Sequence, residues 1–334
     1  MRYLTKKKWM RTNAGLLLLL AAILAAAVAI GPEHVDWRGM WNGTDARATA
    51  IVMVSRLPRV LIAALIGLAL ASAGGVYQAM LRNPLADPFI LGVAGGAALG
   101  SVIATAFGAP TILISVAAFF GAASSILLIF AIARTHGRLP PHTLLLTGVV
   151  FNAFCFALIL FVNAVVNMEE AYQILFLLIG NVEVSDLVTV AIAASFILPM
   201  FAVLVGVAGR MNVLTLGDDD AHALGLNVER LRAIVFIASS VMVGAAVAVS
   251  GLVGFVGLFI PHAVRLVFGA DHRLLVPASG LVGAMFLVAA DTVARTVLVQ
   301  TQLSTQLPVG VITALIGAPA FMLLLRKQMR ETSQ

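Results

Sequence analysis

Charge is what this sequence has least of. Only 11% of its 334 residues are Asp, Glu, Lys or Arg, against 61% apolar, and the mean hydropathy is +1.05. Soluble domains carry roughly a quarter charged residues, so a chain this poor in them cannot coat a water-facing surface, and lipid must be its solvent. Cysteine is almost missing too. Cys155 stands alone inside an apolar run, which excludes an intrachain disulfide and a thiolate metal cluster and leaves a small apolar filler. No Gly-Lys pair occurs, so the chain holds no phosphate-binding P-loop. The apolar runs also lack the alternation of a membrane barrel strand, and the helix is the remaining structure that satisfies its own backbone in hydrocarbon. The expectation is an all-α, polytopic membrane protein.

A crossing needs about 20 apolar residues. Runs suited to this lie at 14–30, 60–80, 89–107, 111–133, 143–165, 187–208, 233–249, 274–294 and 309–325. Residues 250–269, with Gly251, Gly254, Gly257 and Pro261, read as an extended segment followed by a short, broken eighth helix. Residues 171–179 are too few to cross and read as a re-entrant or interfacial helix. The N-terminus imitates a secretory signal, Lys6, Lys7, Lys8 and Arg11 before a Leu/Ala run, but the spans that follow favour an uncleaved first helix.

Ten crossings place both ends on one side. With that count, 16 of the 21 Lys and Arg fall on the side of the termini and five, Arg38, Arg47, Arg56, Arg59 and Arg295, on the other. The bias puts both termini in the cytoplasm. The net charge of +6 and pI near 10.1 therefore reflect topology, with short basic clusters between spans, and not nucleic-acid binding.

The long polar stretch at about 210–232 is a cytoplasmic region within a single permease domain covering 1–334. In it, Gly217-Asp218-Asp219-Asp220 precedes Ala221-His222-Ala223-Leu224-Gly225, and Asn227 opens the next helix. Acidic residues suit a helix start and glycine a helix end, so a short helix lies outside the membrane. It reads as a solvated connector or as a docking helix for a soluble partner. An aspartate-rich Mg²⁺ site is disfavoured, because no second acidic cluster faces it. His262, after Pro261, reads as a packing residue, since no second ligand stands at a zinc-like spacing. Asp291 and Arg295 are four apart and can pair on one helix face; that structural reading is preferred to a proton relay.

Several motifs together carry a resemblance. Asn83-Pro84-Leu85-Ala86-Asp87-Pro88 with Leu91-Gly92, Gly254-Phe255-Val256-Gly257-Leu258-Phe259-Ile260-Pro261-His262 with Arg265 and Asp271-His272-Arg273, Ala290-Asp291 with Ala294-Arg295, Leu307-Pro308-Val309-Gly310 and Gly317-Ala318-Pro319 are similar to signatures of the FecCD/BtuC-type permeases of binding-protein-dependent ABC importers. The similarity runs from about Arg56 to the last span. It implies ten spans with both ends inside, and it implies roles at particular positions. Ala221, Leu224 and Gly225 match the coupling helix that sits in a groove of the ATPase subunit. Asn83 and Leu85 match one cytoplasmic gate; His142 and Thr143 match a second more loosely. Arg56, Arg59 and Arg295 match outward arginines that pair with acidic residues of the binding protein, a role arginine's planar fork suits; snorkelling to headgroups is the alternative. The family commonly has Glu where this chain has Gln306, which puts a carried-over ion pair there in doubt.

The resemblance implies the permease subunit of a type II importer in a bacterial inner membrane, with no catalytic residue and no cofactor or metal of its own. A second permease copy completes the passage, two ABC ATPase subunits hold ATP and Mg²⁺, and a substrate-binding protein delivers a bulky metal chelate. Iron–siderophore is the first choice of cargo, then haem or cobalamin; a homodimer is preferred to a heterodimer with a paralogue. The rival reading is an ion-coupled secondary transporter, which needs carboxylates at the membrane midplane, and Asp291 is its one candidate. A membrane enzyme would need a nucleophile–base set or metal ligands at one depth, and none is apparent.

Overall fold

In the computed structural model, residues 4–134, 138–182, 186–298 and 306–332 are described; Arg2 and His136, both used in reading the topology, lie outside them. Among the described residues every regular element is helical. The first helix, α1 (Lys6–Ala29), starts where the Thr5 hydroxyl accepts the Lys8 N–H, and α2 (Trp37–Trp41) and α3 (Ala46–Ala50) start under the carboxylates of Asp36 and Asp45. A π-helical stretch, Ile51–Arg56, runs without a break into α4 (Leu57–Met80), and Pro58, which has no N–H to donate, stands just past the junction. There follow α5 (Val93–Ala106), α6 (Thr111–Ala133), α7 (Pro141–Val165), α8 (Met168–Ile179), α9 (Leu187–Leu214), α10 (Asp218–Ala223), α11 (Val228–Ser250), α12 (Val256–Phe268), α13 (His272–Thr296) and α14 (Val309–Thr332).

Seven of these helical runs are long and apolar enough to cross a membrane, and three shorter apolar helices, Val93–Ala106, Val256–Phe268 and Val309–Leu324, fall where the other three crossings were expected. The shortness of α5 has a local cause. The turns that hold Pro84 and Pro88 continue through the first four residues of the run expected from Phe89, and helix resumes only after Gly92, at φ 85°. The broken segment before α12 is present as expected: Gly251 (φ 66°) ends α11, and Phe255 (φ 68°) precedes Val256. Its backbone is satisfied by protein, as membrane depth requires. Asn181 donates its N–H to Ser250 (2.8 Å), and Leu252 donates to Leu177 (3.1 Å).

The apolar core runs through α4, α11 and α13, which are mostly buried, while α1, α6, α7 and α9 expose most of their surface. Close approach sets this layering. A Cβ on Gly67 would lie 2.2 Å from the Gly283 carbonyl, and one on Gly74 would lie 1.8 Å from that of Gly257. Only glycine lets α4 touch α13 and α12 backbone to backbone, the arrangement expected where packing drives association in lipid. Cys155 is fully buried in α7, as a filler should be. A polar pair sits between α4 and α11, where the Tyr77 hydroxyl meets that of Ser240 at 2.9 Å.

Candidate functional site

Two regions gather the polar residues singled out in the sequence, one beside the polar stretch after α9 and one at the opposite ends of α4 and α13. In the first, α10 is a helix of six residues with three aspartates in its first turn and Gly225 (φ 78°) just past its end. Its C-terminal end is tied down by the chain that follows. The Leu226 N–H reaches the Ala221 carbonyl (3.0 Å), and the Asn227 side chain accepts from Arg230 N–H (2.9 Å) to start α11. Ala221 is fully buried and packs inward, whereas Leu224 is 66% exposed and Leu216 61%. Of the three expected coupling residues, Leu224 and Gly225 therefore face outward, and Ala221 anchors the helix beneath them.

Asp218 secures α10 to its surroundings. Its Oδ1 accepts from Arg232 at 2.6 Å and from Arg82. Burial works to raise this carboxyl, but the hydrogen bond and charge of Arg232, and then those of Arg82, outweigh it and hold Asp218 below its ordinary range. Arg232 is 2% exposed, so Asp218 is the counter-charge that lets it be buried.

Arg82 opens the loop that holds Asn83 and Leu85. The loop is a run of turns. Asn83 donates to the Gln78 carbonyl (3.1 Å) and accepts the Leu85 N–H on its side chain (2.9 Å), and Asp87 accepts the Phe89 N–H (2.8 Å). Burial pushes Asp87 up to about 6 against that hydrogen bond. Leu85 is 47% exposed at the tip. His142, exposed, and Thr143, half-buried, lie in the first turn of α7 after Pro140 and Pro141. The two expected gates share a support. Gly148, one to two turns further along α7, sits against the backbone of Ile90 and Leu91 at the end of the first loop.

At the other end, the three arginines are buried: Arg56 is 3% exposed, Arg59 9% and Arg295 3%. Arg59 grips Asp291 through Nε and Nη2 (2.9–3.1 Å) and donates Nη1 to the Gln306 side-chain oxygen (2.8 Å). Arg295 stands 3.7 Å from Asp291 and donates to the Ala27 carbonyl; Arg56 donates to the carbonyls of Val28 and Ala29 (3.1 and 3.0 Å) and of Glu33. The sequence pictured these guanidinium groups as open to a partner. The structure corrects their exposure: α1 covers Arg56 and Arg295, and Asp291 takes Arg59. Asp291 thus serves Arg59 and Arg295, while Glu33 on the same face pairs with the exposed Arg47 at 3.0 Å.

The FecCD transport family model matches residues 16–327. The chain belongs to the FecCD transport family. It is 39% identical over 332 residues to the hemin transport system permease protein HmuU of Yersinia pestis, covering 97% of this chain and 98% of that one. It is 44% identical over 286 residues to the cobalamin import system permease protein BtuC of Halobacterium salinarum, covering 85% and 75%. A probable iron chelatin transport system permease protein of Helicobacter pylori is 39% identical over 277 residues, covering 83% and 82%. Among solved structures, an inward-facing metal-chelate type ABC transporter superposes with a TM-score of 0.86 at 31% identity, covering 95% and 99%. The PsaBC structure from Streptococcus pneumoniae matches at 0.56 and 15% identity, covering 80% and 90%, a likeness of fold alone.

For this FecCD permease, sequence reasoning missed Arg82, Arg232 and Leu216. An exposed leucine in a polar stretch was a legible signal for Leu216. A basic residue flanking a motif carries no such signal, because its partner Asp218 is 136 residues away. The primary partner of Asp291 was missed for the same reason. Its i+4 neighbour Arg295 was found, but Arg59, 232 residues distant, makes the hydrogen bonds.

Proposed function

We propose that this FecCD permease forms the passage of an ATP-driven importer for a bulky metal chelate, crossing a bacterial inner membrane ten times with both termini in the cytoplasm. The observation that carries the reading is α10, a short helix pinned at both ends that offers Leu224 and Gly225 outward beside the gate loop. A soluble ATPase needs such a rigid apolar knob, since only a part that moves as a unit transmits closure of a partner. Two copies of the chain enclose the passage, and two ATPase subunits carrying ATP and Mg²⁺ dock at Leu224 and Gly225, on the helix that the buried Ala221 anchors. Asn83, Leu85, His142 and Thr143 close the inner end. Arg56, Arg59 and Arg295, with the exposed Arg38 nearby, mark the face on which the acidic lobes of a binding protein dock.

The cargo is an iron–siderophore, with haem and cobalamin next; relatives that carry hemin, cobalamin and iron chelates in their names support this class without choosing within it. The rival, an ion-coupled carrier, loses support at Asp291. A carboxylate that shuttles protons or sodium must be free to exchange them, and this one is held by Arg59 on two atoms. Reconstitution decides. Liposomes holding the permease, its ATPase and its binding protein should accumulate ferric siderophore, haemin or cyanocobalamin only with ATP inside the ATPase-facing compartment. Uptake by the permease alone, driven by an ion gradient, would end the proposal.

A further inference from the structure

The polar stretch after α9 touches both gate loops, each through one carboxylate. Asp218, at the first position of α10, receives Arg82, the residue immediately before Asn83. Glu229, in the first turn of α11, receives the backbone N–H of Leu139 (3.3 Å), three residues before His142. Between these carboxylates the chain is stiff: Ala221 is buried, Leu226 N–H bonds Ala221, and Asn227 caps α11. Any displacement of α10 therefore carries both carboxylates with it.

The magnitudes separate holding from linking. Asp218 is bound to α11 by the buried Arg232, and removing Asp218 would strand that guanidinium. The Arg82 contact is different, because its two side chains are 39% and 38% exposed. An ion pair so open to water stabilises a fold by only about 0–1 kcal/mol, so it is not what keeps α10 in place. It is instead a side-chain contact that joins the gate loop to α10. Arg82 is also one of two non-glycine residues at positive φ among the described residues (49°), a left-handed conformation disfavoured for a side-chain-bearing residue. The loop accepts that conformation where it aims the guanidinium at Asp218.

We propose that Asp218 and Glu229 are positioning residues that transmit movement of the coupling helix to the two gates, Asp218 through Arg82 to the Asn83–Leu85 turn and Glu229 through Leu139 to the start of α7. This rests on the coupling and gate roles proposed above. Each loop has its own link, so either link can be cut while the other is kept.

The test uses the full complex with its ATPase and binding protein in proteoliposomes, in a Cys155→Ala background, with a spin label at Leu85→Cys or at Thr143→Cys and ADP or ATP with vanadate as the probes. In Arg82→Ala, which leaves the Asp218–Arg232 pair intact, ATP hydrolysis should stay within about two-fold, while the nucleotide-driven change at Leu85 falls about five-fold or more. Arg82→Lys should restore it. Glu229→Ala should silence the label at Thr143 and spare that at Leu85. A full response at Leu85 in Arg82→Ala would overturn the proposal, and so would loss of ATPase binding in step with the response, which would mark Arg82 as merely structural. Leu224→Asp tests the foundation separately: if the ATPase still binds it normally, the coupling role itself fails.

Discussion

Arg59 and Asp291 illustrate what a charge costs in this molecule. Both are nearly inaccessible, and each satisfies the other through three hydrogen bonds. Removing one member leaves an uncompensated charge among apolar helices, which costs about 3–5 kcal/mol, whereas replacing both by apolar residues of similar volume is often nearly neutral. Asp291→Leu, which strands both Arg59 and Arg295, should therefore lower the thermal midpoint of the detergent-solubilised protein sharply, and adding Arg59→Leu should recover part of the loss, with Arg295 still lacking its carboxylate. Additive losses in the double variant would show that packing, not charge, holds the site. Asp87 gives a prediction of the opposite kind, because its carboxyl stands above the ordinary 3.8, at about 6, through burial. An acid raised on folding contributes most below its free value, and the contribution is lost as pH rises through the native one. Between pH 4 and pH 6 the wild type should lose stability relative to Asp87→Asn, which keeps an oxygen for the Phe89 N–H. Parallel melting curves across that range would refute the assignment.

Helix contacts are set by where side chains are missing. The α4–α12 crossing depends on Gly74 and Gly257, and a methyl on Gly74 has no room beside the Gly257 carbonyl. Overpacking of this kind costs about 1–3 kcal/mol. Because α12 has 13 residues and follows an irregular segment, it should yield before α4 does. Gly74→Ala should thus lower stability and raise hydrogen exchange selectively in 251–268, while Gly15→Ala, where nothing lies within 4 Å, should change neither. Uniform exchange across the chain would show that α12 is not the weaker partner. The helices themselves were legible from residue type: apolar runs gave α6 its exact bounds, and Asp218 to Gly225 framed α10. Which helices would be central was not legible. The runs that became α4 and α7 are similarly apolar, yet one is almost wholly buried and the other largely open. Burial here follows from matched glycines far apart in sequence, Gly67 with Gly283 and Gly74 with Gly257, a pairing that no local pattern encodes.

At the scale of the whole molecule, one property orders every functional assignment: which end faces the cytoplasm. The loop after α4, α10, the start of α11 and the residues before α7 are joined by Asp218 and Glu229, while Arg59, Asp291, Gln306 and Arg56 gather at the other ends of α4 and α13. The structure thus separates the polar residues into two groups along the helices, and charge bias assigns a side to each. The assignment can be read directly, because Cys155 is buried and can be replaced to give a background without thiols. Trp41, 86% exposed in α2, and Leu224, 66% exposed past α10, are suitable reporters at opposite ends. In intact cells stripped of any outer membrane, a membrane-impermeant maleimide should label Trp41→Cys and not Leu224→Cys, and inverted vesicles should reverse the result. Labelling of Leu224→Cys from outside would turn the molecule over. It would place the coupling helix where no ATPase could reach it, and the arginine cluster where no binding protein could dock.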